Sequence, residues 1–176
     1  MRVLQKLIIN RLFTSYESCF MCLLFIILTV LSCSKKDDET AINNLIREGV
    51  DFAEKHDIGN IMDLVEDGFV GMPGELNERE TKGILWKTFN YYKEFKILYP
   101  KPVIAIEENG QTALAKLPFL IVKKDHVFKK LTDLFEDPKR WVEEAEKSAD
   151  IYRLELELVK SDGDWLVQRA RVTKFT

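Results

Sequence analysis

Cysteine is absent after position 33, histidine occurs twice, and the 176 residues hold only eight glycines and five prolines. Without thiols, the chain beyond residue 33 has no disulfide framework and no thiolate metal site, so its stability must come from packing. Two histidines, His56 and His126, are too few for a structural zinc site, and neither a metal nor a cofactor is expected. The Cys19 and Cys22 pair lies in an apolar leader with no second pair to complete a site. No Gly-rich phosphate loop, nucleophile elbow or HExxH motif occurs. A basic surface is missing too: from Ser34 onward 23 basic residues face 28 acidic ones, a balance of about −5. That charge excludes a nucleic-acid surface, whose affinity depends on neutralising phosphates.

What is present begins with an address. Arg2, Lys6 and Arg11 precede an uncharged stretch from Ser18 to Ser34, whose apolar centre runs from Phe20 to Leu31. Twelve apolar residues fit a signal-peptide core better than a membrane span of ~20. Val30-Leu31-Ser32-Cys33 closes it and resembles the lipobox of bacterial lipoproteins. That resemblance implies that residues 1–33 end in a lipidated Cys33, and that Ser34, not an aspartate, follows it. The absence of Asp there points to the outer membrane, and Lys35-Lys36-Asp37-Asp38-Glu39 resembles the charged tags of surface-exported lipoproteins. The alternative is an uncleaved anchor; by the positive-inside rule the C-terminal domain is outside on either reading.

Residues 34–40 are polar and read as a tether. A helix follows, capped by Asp38 or Thr40, with Ile42, Leu45, Ile46, Gly49, Val50 and Ala53 on one face and His56 at its end. Asp57 caps a short second helix carrying Ile58, Ile61, Met62 and Val65; Asp67-Gly68 breaks it before a short strand, Phe69 to Met72. Pro73-Gly74 turns the chain, and Asn77 with Glu80 reads as a capping box for a third helix bearing Ile84, Leu85, Thr88, Phe89 and Tyr92. The period then changes to two. Asn109-Gly110 joins strands 103–108 and 111–122 in a register that sets Ile104 and Ile106 opposite Ala115 and Ala113. A second hairpin runs from Ile151 to Lys160 and back from Asp164. A three-residue turn there puts Leu154, Leu156 and Leu158 on one face with Leu166, Gln168, Ala170 and Val172. Residues 124–150 form two helices between the hairpins, the second capped by Asp137-Pro138.

Three helices, a short strand between the second and third, and a curved sheet built from hairpins form an order similar to the nuclear transport factor 2-like superfamily, also called SnoaL-like or cystatin-like α+β. The local echoes are His56-Asp57-Ile58-Gly59-Asn60, the stretch from Leu64 to Gly71, Asn109-Gly110-Gln111-Thr112-Ala113, and Lys160 to Val167. The resemblance covers roughly residues 41–174 of a domain taken as 41–176, with the 124–150 insertion as a departure. It implies three helices packed in a strongly curved, cone-shaped antiparallel sheet, with a mouth for a small apolar ligand. It also implies many unrelated activities, since the same fold serves isomerases, dehydratases, hydrolases and non-catalytic proteins.

The residues weigh against catalysis. Where the enzymes of this type carry an acid or base just after the short strand, this chain reads Val70-Gly71-Met72-Pro73. Glu155 and Glu157 alternate along one strand face and are expected to form a Glu/Arg ladder with Arg169 and Arg171. No catalytic residue is assigned. The candidate pocket is Trp86, Phe89, Tyr92, Ala113, Ala115, Leu156 and Gln168, the last being the one polar residue on the apolar face. Leu131, Phe135 and Trp141 of the insertion are a candidate lid over the mouth. The leading expectation is a lipid-anchored envelope protein that binds a small apolar ligand or a protein partner without catalysis. An isomerase, dehydratase or hydrolase acting on a hydrophobic molecule is the alternative, and a structural module, a homodimer through the sheet face among its forms, is the third.

Overall fold

The computed structural model describes residues 36–123, 128–147 and 149–175. The chain divides into two units, Met1–Asp38 and Glu39–Thr176. Every residue of both apolar clusters described below belongs to the second unit, which therefore carries its own core. Among the described residues no helix is long and apolar enough to cross a membrane.

Helix α1 occupies residues 36–54. Residues 36–40, expected as a tether, are thus helical, and Asp38 and Thr40 lie inside the helix instead of capping it. The run contains neither glycine nor proline, so nothing in it stops a helix. His56 ends the helix with a positive φ of 60°, its N–H donating to the Ala53 carbonyl. Asp57 then caps α2 (Ile58–Met62), its carboxylate accepting from the Asn60 N–H at 3.1 Å. Strand β1 (Val65–Met72) is longer than expected: Asp67-Gly68 does not end a helix but lies within an irregularity of the strand. Helix α3 (Glu78–Tyr92) opens on the expected capping box. Asn77 Oδ1 accepts from Glu80 N–H, and Glu80 Oε2 accepts from Asn77 N–H.

Strands β2 (Phe95–Leu98), β3 (Val103–Ile106), β4 (Thr112–Lys123), β5 (Tyr152–Ser161) and β6 (Asp164–Lys174) complete a six-stranded sheet ordered β1-β6-β5-β4-β2, with β3 also on β4. It is not wholly antiparallel, because β1 runs parallel to β6. Ile104 faces Ala115 and Ile106 faces Ala113, as expected. The turn closes one pair early: Glu107 accepts from Gly110 N–H, and the Asn109 carboxamide oxygen accepts from the N–H groups of Gln111 and Thr112.

The second hairpin departs from the expected register. Its turn has two residues, Asp162 and Gly163, both at positive φ (51° and 99°), so Ser161 pairs with Asp164. This is the primed turn whose twist matches the flanking strands. Beside the turn it puts Trp165 and Val167, not Leu166, on the apolar face. A bulge at Gln168 then restores the expected face, so that Leu156 meets Ala170 and Leu154 meets Val172.

The sheet carries an apolar cluster on each face. On the inner face Ile42, Leu45 and Ile46 of α1 pack on Ala113, Ala115 and Leu117 of β4, Leu156 and Leu158 of β5, and Trp165 and Val167 of β6. On the outer face Leu120 and Val122, which alternate with the inner residues of the same strand, meet Leu131 of α4 (Lys129–Asp133), Trp141 and Ala145 of α5 (Pro138–Ala145), and Ile151. Asp137 caps α5 by accepting from Arg140 N–H at 3.1 Å, with Pro138 in the first turn as expected.

Candidate functional site

The inner face continues past the reach of α1. Beyond Leu117 the inward alternation of β4 brings Phe119 and Ile121, which face Tyr152 of β5 and Ile97 of β2. Phe119 and Tyr152 stand 5.7 Å apart between ring centres. The end of α3 supplies the opposing side. Buried Phe89 lies 5.8 Å from Phe95, the His56 ring stacks on both at 5.1 and 5.4 Å, and Tyr92 meets Phe95 edge-on at 6.2 Å. Tyr92 is 38% exposed. Burial, then the nearby Tyr152, Tyr91 and Asp150, push its phenol above the ordinary value, which sets Tyr92 and Tyr152 within electrostatic reach of each other. These two ring pairs, Tyr92 with Phe95 and Phe119 with Tyr152, carried by α3, β2, β4 and β5, are the aromatic wall.

The polar groups beside this wall are few. Tyr99 packs against the inner cluster, and burial raises its phenol, with Asp51 and Glu54 adding to the rise and Arg47 opposing it. Glu54, at the end of α1, accepts from the Ile97 N–H at 2.8 Å through one oxygen and from the Lys96 ammonium through the other. Its carboxylate fastens α1 to β2. A raised phenol is a donor at neutral pH, so this end of the sheet offers stacking and hydrogen-bond donation, with the His56 ring stacked against Phe95.

The expected pocket residues divide. Phe89 and Tyr92 belong to the aromatic group. Ala113, Ala115 and Leu156 are buried under α1 as core. Trp86 is 62% exposed, because α3 docks through Phe89 and turns Trp86 to solvent. Gln168 is exposed as well, being the extra residue of the β6 bulge, and needs no buried partner. The lid residues also fall elsewhere. Leu131 and Trp141 sit on the outer face of β4, and only Phe135, 40% exposed, reaches round to touch Tyr99 edge-on at 6.4 Å. The insertion covers the back of the sheet instead of the inner mouth, since Leu120 and Val122 point outward. The Glu/Arg ladder is seen in part: Arg169 reaches Glu157 at 3.1 Å as expected, while Glu155 takes its ion pair from Lys116 of β4 at 3.3 Å. His126, Val127 and Cys33 lie outside the described residues, and among the described residues no group of three potential metal ligands gathers.

Phe95, Phe119, Tyr152 and Tyr99 escaped the sequence reading. For Phe119 and Tyr152 the signal existed, since both continue the two-residue alternation of Ala113-Ala115-Leu117 and Leu154-Leu156-Leu158. Phe95 opens and Tyr99 follows a strand of four residues, too short for a period to show.

No protein-family model matches the sequence, and no curated protein is significantly similar to it. Solved structures do share the fold. A protein of Bdellovibrio bacteriovorus superposes with a TM-score of 0.55 at 15% identity over 77% of this chain, which spans only 40% of that protein. A candidate scytalone dehydratase of Novosphingobium aromaticivorans gives 0.61 at 10% identity, covering 82% of this chain and 89% of its own. A protein from the same organism described as NTF2-like with a cystatin-like fold gives 0.61 at 12% identity, with 84% and 88% covered. The domain therefore has the nuclear transport factor 2-like, cystatin-like α+β fold.

Proposed function

We propose that this chain is a cell-envelope protein, lipid-anchored at Cys33 in the outer membrane, whose domain holds a small, flat, apolar molecule against the aromatic wall and does no chemistry on it. The wall is the observation that carries the reading: Tyr92, Phe119 and Tyr152 supply stacking surface around buried Phe95, and the Glu54 carboxylate at the end of α1 is tied up between Ile97 and Lys96. Aromatic faces with few polar groups are what small apolar ligands select. The Val30-Leu31-Ser32-Cys33 sequence supports the anchor. The dehydratase description of one structural neighbour favours the second reading, catalysis, which would have to use the His56 ring stacked on Phe89 and Phe95.

The test is fluorescence of the neutral probe N-phenyl-1-naphthylamine. The protein brightens it, Phe119→Ala and Tyr152→Ala each weaken binding about tenfold, and Trp86→Ala leaves it unchanged. A probe that stays dark, or binds all three variants alike, overturns the reading. Metabolic acyl labelling tests the anchor separately, since Cys33→Ala abolishes the label.

A further inference from the structure

The outer face holds a second concavity, unrelated to the aromatic wall. A cavity of about 340 Å³ lies between β4, α4 and α5, lined by Leu120, Phe128, Leu131 and Ala145 with Lys129, Lys130 and Glu144 around it. Leu120, Leu131 and Ala145 are almost wholly buried, so they form a floor, while the Lys130 side chain is 83% exposed at the rim. The volume is within the range of small-ligand sites. At ~30 Å³ per water-sized group it accommodates roughly ten methylenes, one alkyl chain and not two.

The rim is electrostatically one-sided. Glu144 accepts from Lys147 at 2.8 Å and lies 3.5 Å from Lys130. The hydrogen bond and charge of Lys147, then those of Lys130, hold its carboxyl below the usual range, so it is an anion already engaged. Lys129 makes no ion pair among the described residues. Lys130 and Lys147 thus share the one carboxylate that lines the mouth, and Lys129 stands on the rim beside them. An apolar cavity with surplus positive charge at its opening selects an amphiphile with an anionic head.

We propose that this cavity binds a single-chain alkyl carboxylate of medium length, its tail along Phe128 above the buried Leu120, Leu131 and Ala145 and its carboxylate at Lys129 and Lys130. A peptide or a two-chain lipid is too large for the volume. The site is on the opposite face of β4 from the aromatic wall and does not depend on the function proposed above.

Calorimetric titration of the chain from Ser34 onward, which retains α1 and both apolar clusters, tests it with decanoate, decanol and acetate. Decanoate binds one to one, decanol at least tenfold more weakly, and acetate not at all. Lys129→Glu weakens decanoate at least fivefold, and the effect shrinks with added salt. Ala145→Leu fills the floor and abolishes binding; because it is a core position, its circular dichroism is checked, and Lys129→Glu stands as the exposed variant that keeps the fold. Equal affinity for decanol and decanoate, unchanged binding in Lys129→Glu, or displacement of decanoate by N-phenyl-1-naphthylamine would each overturn the proposal.

Discussion

The two apolar clusters share β4 but are assembled differently. The inner one gathers Ile42 from α1, Phe69 from β1, Leu117 from β4, Leu158 from β5 and Val167 from β6, so it ties distant parts of the chain into one unit. The outer one is drawn almost entirely from residues 120–151, with Leu98 and Phe175 at its margin. A cluster made of sequence neighbours can open without dissolving the rest, because few long-range contacts are lost when it does. One strand thus carries a global core on one side and a local core on the other.

Truncating the anchor of each side tests that contrast with the largest effects. Trp141 is 1% exposed at the centre of the outer cluster, and Trp141→Ala should cost about 3–5 kcal/mol. Hydrogen exchange should show the loss in 128–147 while β5 and β6 keep their protection. Leu158→Ala, about 2–5 kcal/mol, should instead lower protection everywhere and the melting temperature with it. If Trp141→Ala exposes β5 and β6 equally, the two clusters are one cooperative unit and the contrast fails.

A smaller effect probes how tightly α3 sits on the inner layer. A Cβ on Gly71 would come within 2.8 Å of Thr81 Oγ1 and 3.5 Å of Leu76 Cβ. That hydroxyl is buried and has no hydrogen-bond partner among the described residues. Gly71→Ala should destabilise by about 1–3 kcal/mol through overpacking. In a Thr81→Ala background most of that cost should vanish in urea unfolding, since the obstructing oxygen is gone. An equal cost in both backgrounds would mean that Leu76 sets the limit. Loss of the cap through Asn77→Ala should cost about 1 kcal/mol, read by the same unfolding curves.

The contrast also explains what was legible in the sequence. Caps and turns act over three or four residues, so Asp57, Asn77 with Glu80, and Asp137-Pro138 were readable, and so was the β3–β4 register, where Ile104 faces Ala115. The β6 face was not, because one bulged residue, Gln168, changes which side chains point inward, and a bulge leaves no period of its own. The strand Phe95–Leu98 escaped because its partner, the far half of β4, is more than twenty residues away. The insertion was read as two apolar helices but set on the wrong side of the sheet. Apolar stripes say that a helix must be covered, and only the outward alternation of Leu120 and Val122 says by what. The candidate site suffered most, since Phe119 and Tyr152 meet Tyr92 only through tertiary packing.

The smallest expected effect concerns the seam between the two regions, where Tyr99 packs on the inner cluster and touches Phe135 of the insertion. Burial raises the Tyr99 phenol, with Asp51 and Glu54 contributing in the same direction. A phenol whose value is raised in the folded protein supports folding fully while the unfolded chain keeps its proton, that is below ~10. Above that the unfolded chain releases the proton more readily, so stability falls as pH rises through the folded value. Unfolding measured between neutral pH and the alkaline range should therefore decline more steeply for the wild type than for Tyr99→Phe, which keeps the ring and loses the titration. Tyr92 is raised in the same sense and should leave a residual slope in that variant. If Tyr99 is the seam, the alkaline loss of exchange protection should begin at 128–147 and be absent there in Tyr99→Phe. Loss that begins in β5 and β6 would mean that the charged phenolate strains the inner cluster first, and that the insertion is held by Trp141 alone.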